Sequence, residues 1–316
     1  MTISLNTSAV LKHVRHLSPS AVDTWITCPR RWMYRYVSKI RTPPSGAMHL
    51  GSSFHSAVET NHRQKISSRE DLPLDVLEDR YGDVFDKPTQ DVDWSGEKRS
   101  AAKDDGVAMI RAYRKEVAPA LQPSVVEQTV LIPLNTSFGE TLPPLMTVLD
   151  LVDETRRITD FKTTSKQPDP DDANASGQLT AYDVAHRSAF GVPSSGQELI
   201  HLRRPLKTKP FSEVFKQPTT RSDEQVGNYL RHVQAVALQI SVGVQTGLFP
   251  MADPKSWACS AKFCGFFSIC PGGSVRRTSV ATDPLATWKE AHAAIGSVPT
   301  GTNEGRPAAE APVEAT

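Results

Sequence analysis

Apolar side chains recur at two different spacings along the chain, and a spacing of three to four residues predicts helices near both ends. The first helix should begin at Ser18 and Pro19, because serine is a good N-cap and proline fits the first helical turn. Pro29 interrupts this helix, which resumes at Arg30. The same periodicity predicts further helices over residues 50–66, 97–117, 175–190 and 222–244.

Short apolar runs between these helices predict β-strands. They cover residues 125–134, 145–152, 157–161 and 198–203. Helices before and after a few strands are typical of the α/β (α+β) class. We therefore expect a small central mixed β-sheet flanked by helices.

The two ends of the chain differ from its middle in composition. We expect residues 1–16 to form a flexible leader. Residues 281–316 are rich in Ala, Pro, Thr, Gly and Glu, as in a mostly disordered tail. The sequence thus predicts one folded domain over residues 17–280.

The net charge of +1 over 316 residues does not by itself indicate a nucleic-acid partner. Contact with DNA would depend on local basic patches. Four are present: Arg30-Arg31 with Arg35, Arg156-Arg157, Arg203-Arg204 with Lys207 and Lys209, and Arg276-Arg277. Without a signal-like or bilayer-length apolar segment, we expect a cytoplasmic protein, whose cysteines are metal ligands or free thiols rather than disulfides.

Two aspartates and a lysine form the sharpest chemical pattern. Asp150 lies inside an apolar strand, and Asp160 follows it ten residues later, across a short polar turn. Because side chains alternate along a strand, Asp160 and Lys162 should point to the same side, opposite to Phe161. Two such carboxylates suit Mg²⁺ or Mn²⁺, which with a nearby amine can promote phosphodiester hydrolysis. The simpler interpretation is a pair of salt-bridged aspartates, but an unpaired carboxylate in an apolar strand is costly.

Two helical pairs are weaker signals. His55 and Glu59 are one turn apart and share a helix face, as do Gln178 and Tyr182. An imidazole could complete a shell of carboxylate metal ligands. Taken alone, either pair is more typical of an ordinary amphipathic helix.

The chain has four cysteines: Cys28 near its start, and Cys259, Cys264 and Cys270 near its end. Four thiolates suit either a 4Fe–4S cluster or a structural zinc ion. The wide separation of Cys28 from the other three favours iron, since zinc sites usually combine two close Cys-x-x-Cys pairs.

Together these segments resemble the PD-(D/E)XK nuclease superfamily, and within it the RecB-like branch with a 4Fe–4S cluster, which includes CRISPR-associated RecB-like and phage-encoded exonucleases. The likeness spans about Ser18 to Pro271. The shared order is Cys28-Pro-Arg-Arg, Gly51…His55…Glu59, Asp150, Asp160-Phe161-Lys162, Gln178…Tyr182 and the three C-terminal cysteines. The chain departs from several relatives in its Cys-x4-Cys-x5-Cys spacing, and in Asp160 where glutamate is common.

The resemblance implies a restriction-endonuclease-like core with N-terminal helices and a C-terminal Fe–S staple. It also implies Mg²⁺ or Mn²⁺ bound by His55, Asp150, Asp160 and the Phe161 carbonyl, with Asp150, Asp160 and Lys162 catalytic. Glu59, Gln178 and Tyr182 would position the DNA, and the cysteines would bind the 4Fe–4S cluster.

The activity implied is a DNA exonuclease in a bacterium or phage-infected cell. It would act on single strands or duplex ends in recombination, repair or CRISPR-type processing, with a recombination or CRISPR-adaptation protein as a partner. No phosphate-binding loop motif is present, so we expect no ATP use. The alternatives are a catalytically degenerate DNA-binding or partner-assembly protein, and a redox protein that uses the cluster.

Overall fold

The computed structural model describes residues 6–87 and 92–272. Its helices are α1 (Thr7–His13), α2 (Pro19–Thr27), α3 (Pro29–Trp32), α4 (Gly46–Ser68), α5 (Leu74–Asp86), α6 (Arg99–Glu116), α7 (Asp172–Ala175), α8 (Gly177–Phe190) and α9 (Asp223–Thr246), with a short π-helix at Met33–Val37. Its strands are β1 (Pro123–Asn135), β2 (Thr141–Asp153), β3 (Arg157–Thr164), β4 (Gly196–Arg203) and β5 (Glu213–Thr219).

The strands form one mixed five-stranded sheet in the order β1-β2-β3-β4-β5. Strands β3 and β4 are parallel, and the other neighbouring pairs are antiparallel. Helices α7 and α8 form the crossover between the two parallel strands. The predicted mixed sheet flanked by helices is therefore confirmed.

The sheet separates two hydrophobic cores. One lies beneath α2, α8 and α9 and contains Trp25, Leu149 and Val233. The other lies beneath α4, α5 and α6 and contains Phe54 and Phe161. Residues on both faces of β2 are therefore buried, which explains why this strand is apolar over most of its length.

The capping residues predicted for α2 and α9 lie at the ends of these helices. The Ser18 side chain accepts a hydrogen bond from the Ala21 amide at the start of α2. Ser222 and Gln225 form a capping box at the start of α9, and Gly247 ends that helix with φ +73°.

Three regions differ from expectation. Helix α1 occupies part of the segment expected to be a flexible leader, because Val10 and Val14 are buried. Helix α5 and the edge strand β5 were not predicted. No residue of β5 is fully buried, and its sequence has no strong apolar pattern. The expected tail over residues 281–316 lies outside the described residues.

Candidate active site

Asp150 and Asp160 face each other at the point where two strands separate. Strands β2 and β3 pair at Leu151↔Thr159 and at Val152↔Ile158, and the two aspartates follow directly beyond this register. The carboxylates share one donor: the Tyr182 hydroxyl lies 3.1 Å from Asp150 Oδ1 and 3.2 Å from Asp160 Oδ1. The local strand pairing and one buried tyrosine therefore hold two acids together.

Lys162 completes a connected network with α8. Its Nζ lies 2.7 Å from Asp160 Oδ2 and donates to Gln178 Oε1 at 2.8 Å. The Gln178 Nε2 in turn donates to the Tyr182 hydroxyl at 2.6 Å. Each side chain of the network thus fixes the next, while the Lys162 side chain stays about 40% exposed at the surface of the site.

His55 enters the site from α4, across from β3. Its Nε2 lies 2.9 Å from the Phe161 carbonyl oxygen, and its Nδ1 lies 3.7 Å from Asp150 Oδ2. Burial lowers the pKa of His55, although the charge of Asp160 opposes this effect. In one neutral tautomer of His55, Nε2 carries the proton and donates to the Phe161 carbonyl. Nδ1 then carries a lone pair that faces Asp150 Oδ2. A cation fits between these two acceptors, the Nδ1 nitrogen and the carboxylate oxygen.

The electrostatics of the two acids favour a bound cation. Burial raises the pKa of Asp150 well above its usual range, and the neighbouring Asp160 charge raises it further. The Lys162 ammonium, 2.7 Å from Asp160 Oδ2, compensates one of the two carboxylate charges, and a bound cation would compensate the other. The donor set of two carboxylates, an imidazole and a carbonyl suits a hard divalent ion. In the described ranges, however, no three His, Cys, Asp or Glu side chains are grouped as a metal-binding cluster.

Two further acids lie near this network. The predicted residue Glu59 pairs with Arg63 on the same helix, at 2.7 Å. Glu127, whose position in β1 lies opposite Asp150, was not among the predicted residues. Burial raises the pKa of Glu127, and its charge raises that of Asp150. Its φ of +52° is rare for a non-glycine residue. The feature of the sequence that could have identified Glu127 is its position as an acid directly after two valines in a predicted strand.

The four cysteines lie around one small cavity, away from the acids. Lining it are Cys28, Cys259, Cys264 and Cys270, together with Arg31, Tyr34, Met251, Ala252, Ala258, Phe266, Phe267 and Gly272. All four lie within the described residues, and none of them forms a disulfide bond. The Cys28 Sγ accepts from the backbone amides of Arg31 and Ala252, each at 3.4 Å. A Cβ on Gly272 would lie 3.7 Å from the Cys270 sulfur and 3.8 Å from the Cys259 sulfur, so this glycine lies beside both thiols.

Every helix among the residues that the structure describes is too short or too polar to cross a bilayer.

Known proteins resemble this chain in sequence profile and in fold. Residues 16–271 match the sequence profile of the PD-(D/E)XK nuclease superfamily. A crystal structure from Eubacterium rectale, described as a "putative exonuclease", aligns with 92% of this chain and 98% of its own, at 14% identity and a TM-score of 0.51. The crystal structure of SSO0001 aligns with 84% of this chain and 93% of its own, at 12% identity and a TM-score of 0.39. No curated protein matches the sequence.

The superfamily profile extends over most of the chain and includes every residue of the network described above. The sheet and its flanking helices are those of a restriction-endonuclease-like nuclease fold. The chain therefore belongs to the PD-(D/E)XK nuclease superfamily.

Proposed function

We propose that this protein is a Mg²⁺- or Mn²⁺-dependent DNA exonuclease of the RecB-like branch. The superfamily consists of phosphodiester-hydrolysing enzymes that generally use divalent metals. The observation that carries the proposal is the network of Asp150, Asp160 and Lys162 around the Tyr182 hydroxyl, with His55 Nδ1 at 3.7 Å from Asp150.

Each side chain has a distinct role in this proposal. Asp150, Asp160, His55 and the Phe161 carbonyl would hold the cation. When bound, the ion would polarise the scissile phosphate and make a water molecule more acidic. Lys162 is exposed enough to reach the phosphate, and its ammonium would stabilise the charge that develops there.

Gln178 and Tyr182 act in this proposal as positioning residues rather than as DNA contacts. Tyr182 is only 3% exposed, and its hydroxyl is already shared by the two carboxylates. Gln178 orients the Lys162 ammonium through its amide oxygen. Glu59 is engaged by Arg63, so we assign it a role in fixing α4 rather than in binding an anionic strand.

The proposed substrate is DNA, as a single strand or as a duplex end, in recombination, repair or CRISPR-type processing. The exonuclease assignment follows the RecB-like motif order, and one structure with this fold is itself described as a "putative exonuclease". The nuclease domain would span residues 17–280, with a recombination or CRISPR-adaptation protein as its partner.

A degradation assay on end-labelled single-stranded and duplex DNA tests this proposal. We expect loss of label with Mg²⁺ or Mn²⁺, and no degradation in EDTA. Asp160→Ala and Lys162→Ala should abolish degradation, whereas Asp83→Ala and Lys115→Ala, at exposed helical positions, should retain it. Folded wild-type protein that binds DNA in a salt-sensitive way but never cleaves it would contradict the proposal and identify a degenerate nuclease.

We further propose that the four cysteines bind a 4Fe–4S cluster. Their arrangement around one cavity supports this, as do the two amide groups that donate to Cys28, since such hydrogen bonds stabilise cluster thiolates. The cluster would fasten the end of the domain to the start of α3. Its chemistry there would be structural, because closing so long a loop removes entropy from the unfolded chain.

Visible absorption and metal analysis of protein purified without oxygen test the cluster. We expect a brown protein with about four irons per chain, the complement of a 4Fe–4S cluster. Cys28→Ser should lower the iron content, the visible absorption and the melting temperature together. A colourless protein that contains zinc and no iron would contradict this assignment.

A further inference from the structure

Two segments of the chain contain cations and no acids. The sequence from Thr24 to Val58 contains no aspartate or glutamate, and neither does the sequence from Pro254 to Gly272. Exposed cations on these two segments are Arg35, Lys39, Arg41, Lys255 and Lys262. In the described ranges, none of these five side chains forms an ion pair.

In the other described basic patches, most of the cations pair with acids. Arg203 and Lys209 both pair with Glu213, and Arg204 pairs with Glu97. Arg157 lies 3.9 Å from a carboxylate oxygen of Glu198. Arg276-Arg277 lies outside the described residues. The cations between residues 35 and 41 are therefore better placed than these to bind an anionic polymer.

The two basic segments adjoin each other. The Tyr34 and Phe266 rings are 5.4 Å apart between centroids. A Cβ on Gly265 would lie 2.7 Å from Thr42 Cγ2, so the Gly265 backbone packs very closely against the Thr42 side chain. Residues 35–41 and 255–263 consequently belong to one continuous part of the surface.

Exposed aromatic rings lie on the same part of the surface. Trp257 is 68% exposed and Phe263 is 47% exposed. Their ring centroids are 5.3 Å apart in an edge-to-face arrangement, and the Lys262 ammonium lies 5.2 Å from the Phe263 centroid. Exposed aromatic faces beside cations are the chemistry with which proteins bind unpaired bases, since a duplex hides the faces of its bases.

The surface leads toward the candidate active site. Arg41 is followed within a few residues by α4, which begins at Gly46 and carries His55. The axial rise from Gly46 to His55 is about 14 Å, at 1.5 Å per residue. Near Gly51, α4 lies against Thr163 at the end of β3, one residue beyond Lys162. A strand bound at residues 35–41 could therefore reach the acids within a few nucleotides.

We propose that Trp257, Phe263 and Lys262, together with Arg35, Lys39 and Arg41, form a strand-binding surface. It holds an unpaired nucleic-acid strand by base stacking and phosphate contacts, and it guides that strand to Lys162. This inference rests on the proposed nuclease function and adds to it a preference for single strands.

Binding of the full-length protein to a fluorescein-labelled 20-nucleotide oligo(dT) tests the surface, measured by anisotropy in EDTA so that no strand is cut. Trp257→Ala should weaken binding roughly 5- to 150-fold, the factor that corresponds to one stacked base. Trp257→Phe, which keeps an aromatic face, should recover most of that loss. Neither change should alter binding to a blunt hairpin duplex by a comparable factor.

Charge reversal tests the phosphate contacts. Lys262→Glu and Arg41→Glu should each lower the slope of log affinity against log salt, by roughly 0.7 for each phosphate that is no longer neutralised. Phe138→Ala and Arg231→Glu are the controls, because these residues are exposed on other elements; Phe138 is 91% exposed. Both controls should bind oligo(dT) as the wild type does.

Failure of the strand-binding surface and failure of the proposed nuclease function would give different results. Unchanged single-strand binding in both Trp257→Ala and Lys262→Glu would overturn the surface, and so would an equal loss for strand and duplex. The wild-type protein is assayed separately with a small chromogenic thymidine phosphodiester and Mn²⁺. Failure to hydrolyse it would count against the proposed nuclease function, and the binding series would still decide whether the surface exists.

Discussion

Replacing Tyr182 with phenylalanine tests how the two acids are held together. The Tyr182 hydroxyl lies 3.1 Å from Asp150 and 3.2 Å from Asp160, and it accepts from Gln178 at 2.6 Å. The ring is buried, so phenylalanine should fill the same space while leaving the carboxylate oxygens without their shared donor.

The expected loss follows from the hydrogen bonds removed. A hydrogen bond to a charged group contributes about 1.5–3 kcal/mol. We expect Tyr182→Phe to lower the free energy of unfolding by about this amount in EDTA, which corresponds to a fall in melting temperature of roughly 3–10 °C for a domain of this size. Mg²⁺ or Mn²⁺ should then raise the melting temperature of the variant more than that of the wild type, because the cation relieves the carboxylate repulsion that the hydroxyl no longer reduces.

Differential scanning fluorimetry with and without metal measures both effects, and the cleavage rate measures the catalytic one. We expect a rate loss of about 10- to 100-fold at saturating metal, a factor equivalent to about 1.4–2.8 kcal/mol of transition-state stabilisation. Tyr229→Phe is the matched control, since the hydroxyl of this partly buried tyrosine makes no hydrogen bond within the described ranges. Equal melting temperatures, metal responses and rates in Tyr182→Phe and wild type would show that the hydroxyl does not hold the acids.

Three other predictions concern stability. Burial lowers the pKa of His62 to about 3, so the folded state keeps this ring neutral while the unfolded chain protonates it near pH 6.5. Stability from this group is therefore complete above about pH 6.5 and is lost as the pH falls toward 3. From pH 7 to pH 5, urea unfolding should show the wild type losing about 2 kcal/mol more than His62→Gln, and equal losses would contradict this. A Cβ at Gly106 would lie 1.9 Å from the Tyr81 hydroxyl, so Gly106→Ala should lower the free energy of unfolding by about 1–3 kcal/mol; an unchanged melting temperature would show that α5 and α6 can separate freely. Lys65 and Asp71 form a buried ion pair at 2.9 Å. Lys65→Met should cost about 3 kcal/mol, because the buried Asp71 carboxylate loses its nearest cation and keeps the Asn61 amide and the more distant Arg114, at 4.0 Å. The double variant Lys65→Met/Asp71→Leu should recover most of that loss, and a further fall instead would argue against the pair.

The positions of Asp150, Asp160 and Lys162 could be predicted because they depend on local rules. Alternation along a strand places Asp160 and Lys162 on one side, and a short turn fixes the register that puts Asp150 opposite Asp160. The structure has these side chains in contact. The helices with strong caps, such as those starting at Ser18 and Ser222, were predictable for the same reason.

Features that depend on tertiary packing were not predictable. Glu127 takes its rare backbone conformation in the middle of a paired strand, and no neighbouring residue signals it. Helix α1 is folded because Val10 and Val14 meet the rest of the core. The sequence marks Gln178 and Tyr182 as a helical pair, but only the fold shows that they bind the lysine and the carboxylates.

The central sheet has consequences for how substitutions far from the acids would behave. Phe161 belongs to the core beneath α4, and Tyr182 belongs to the core on the opposite face. The two halves of the proposed catalytic network are therefore tied to separate packing layers, and neither layer alone can align them. A mutational scan that selects for lost cleavage should recover buried positions from both sides of the sheet. The cleavage rate would therefore depend on the packing of both hydrophobic cores.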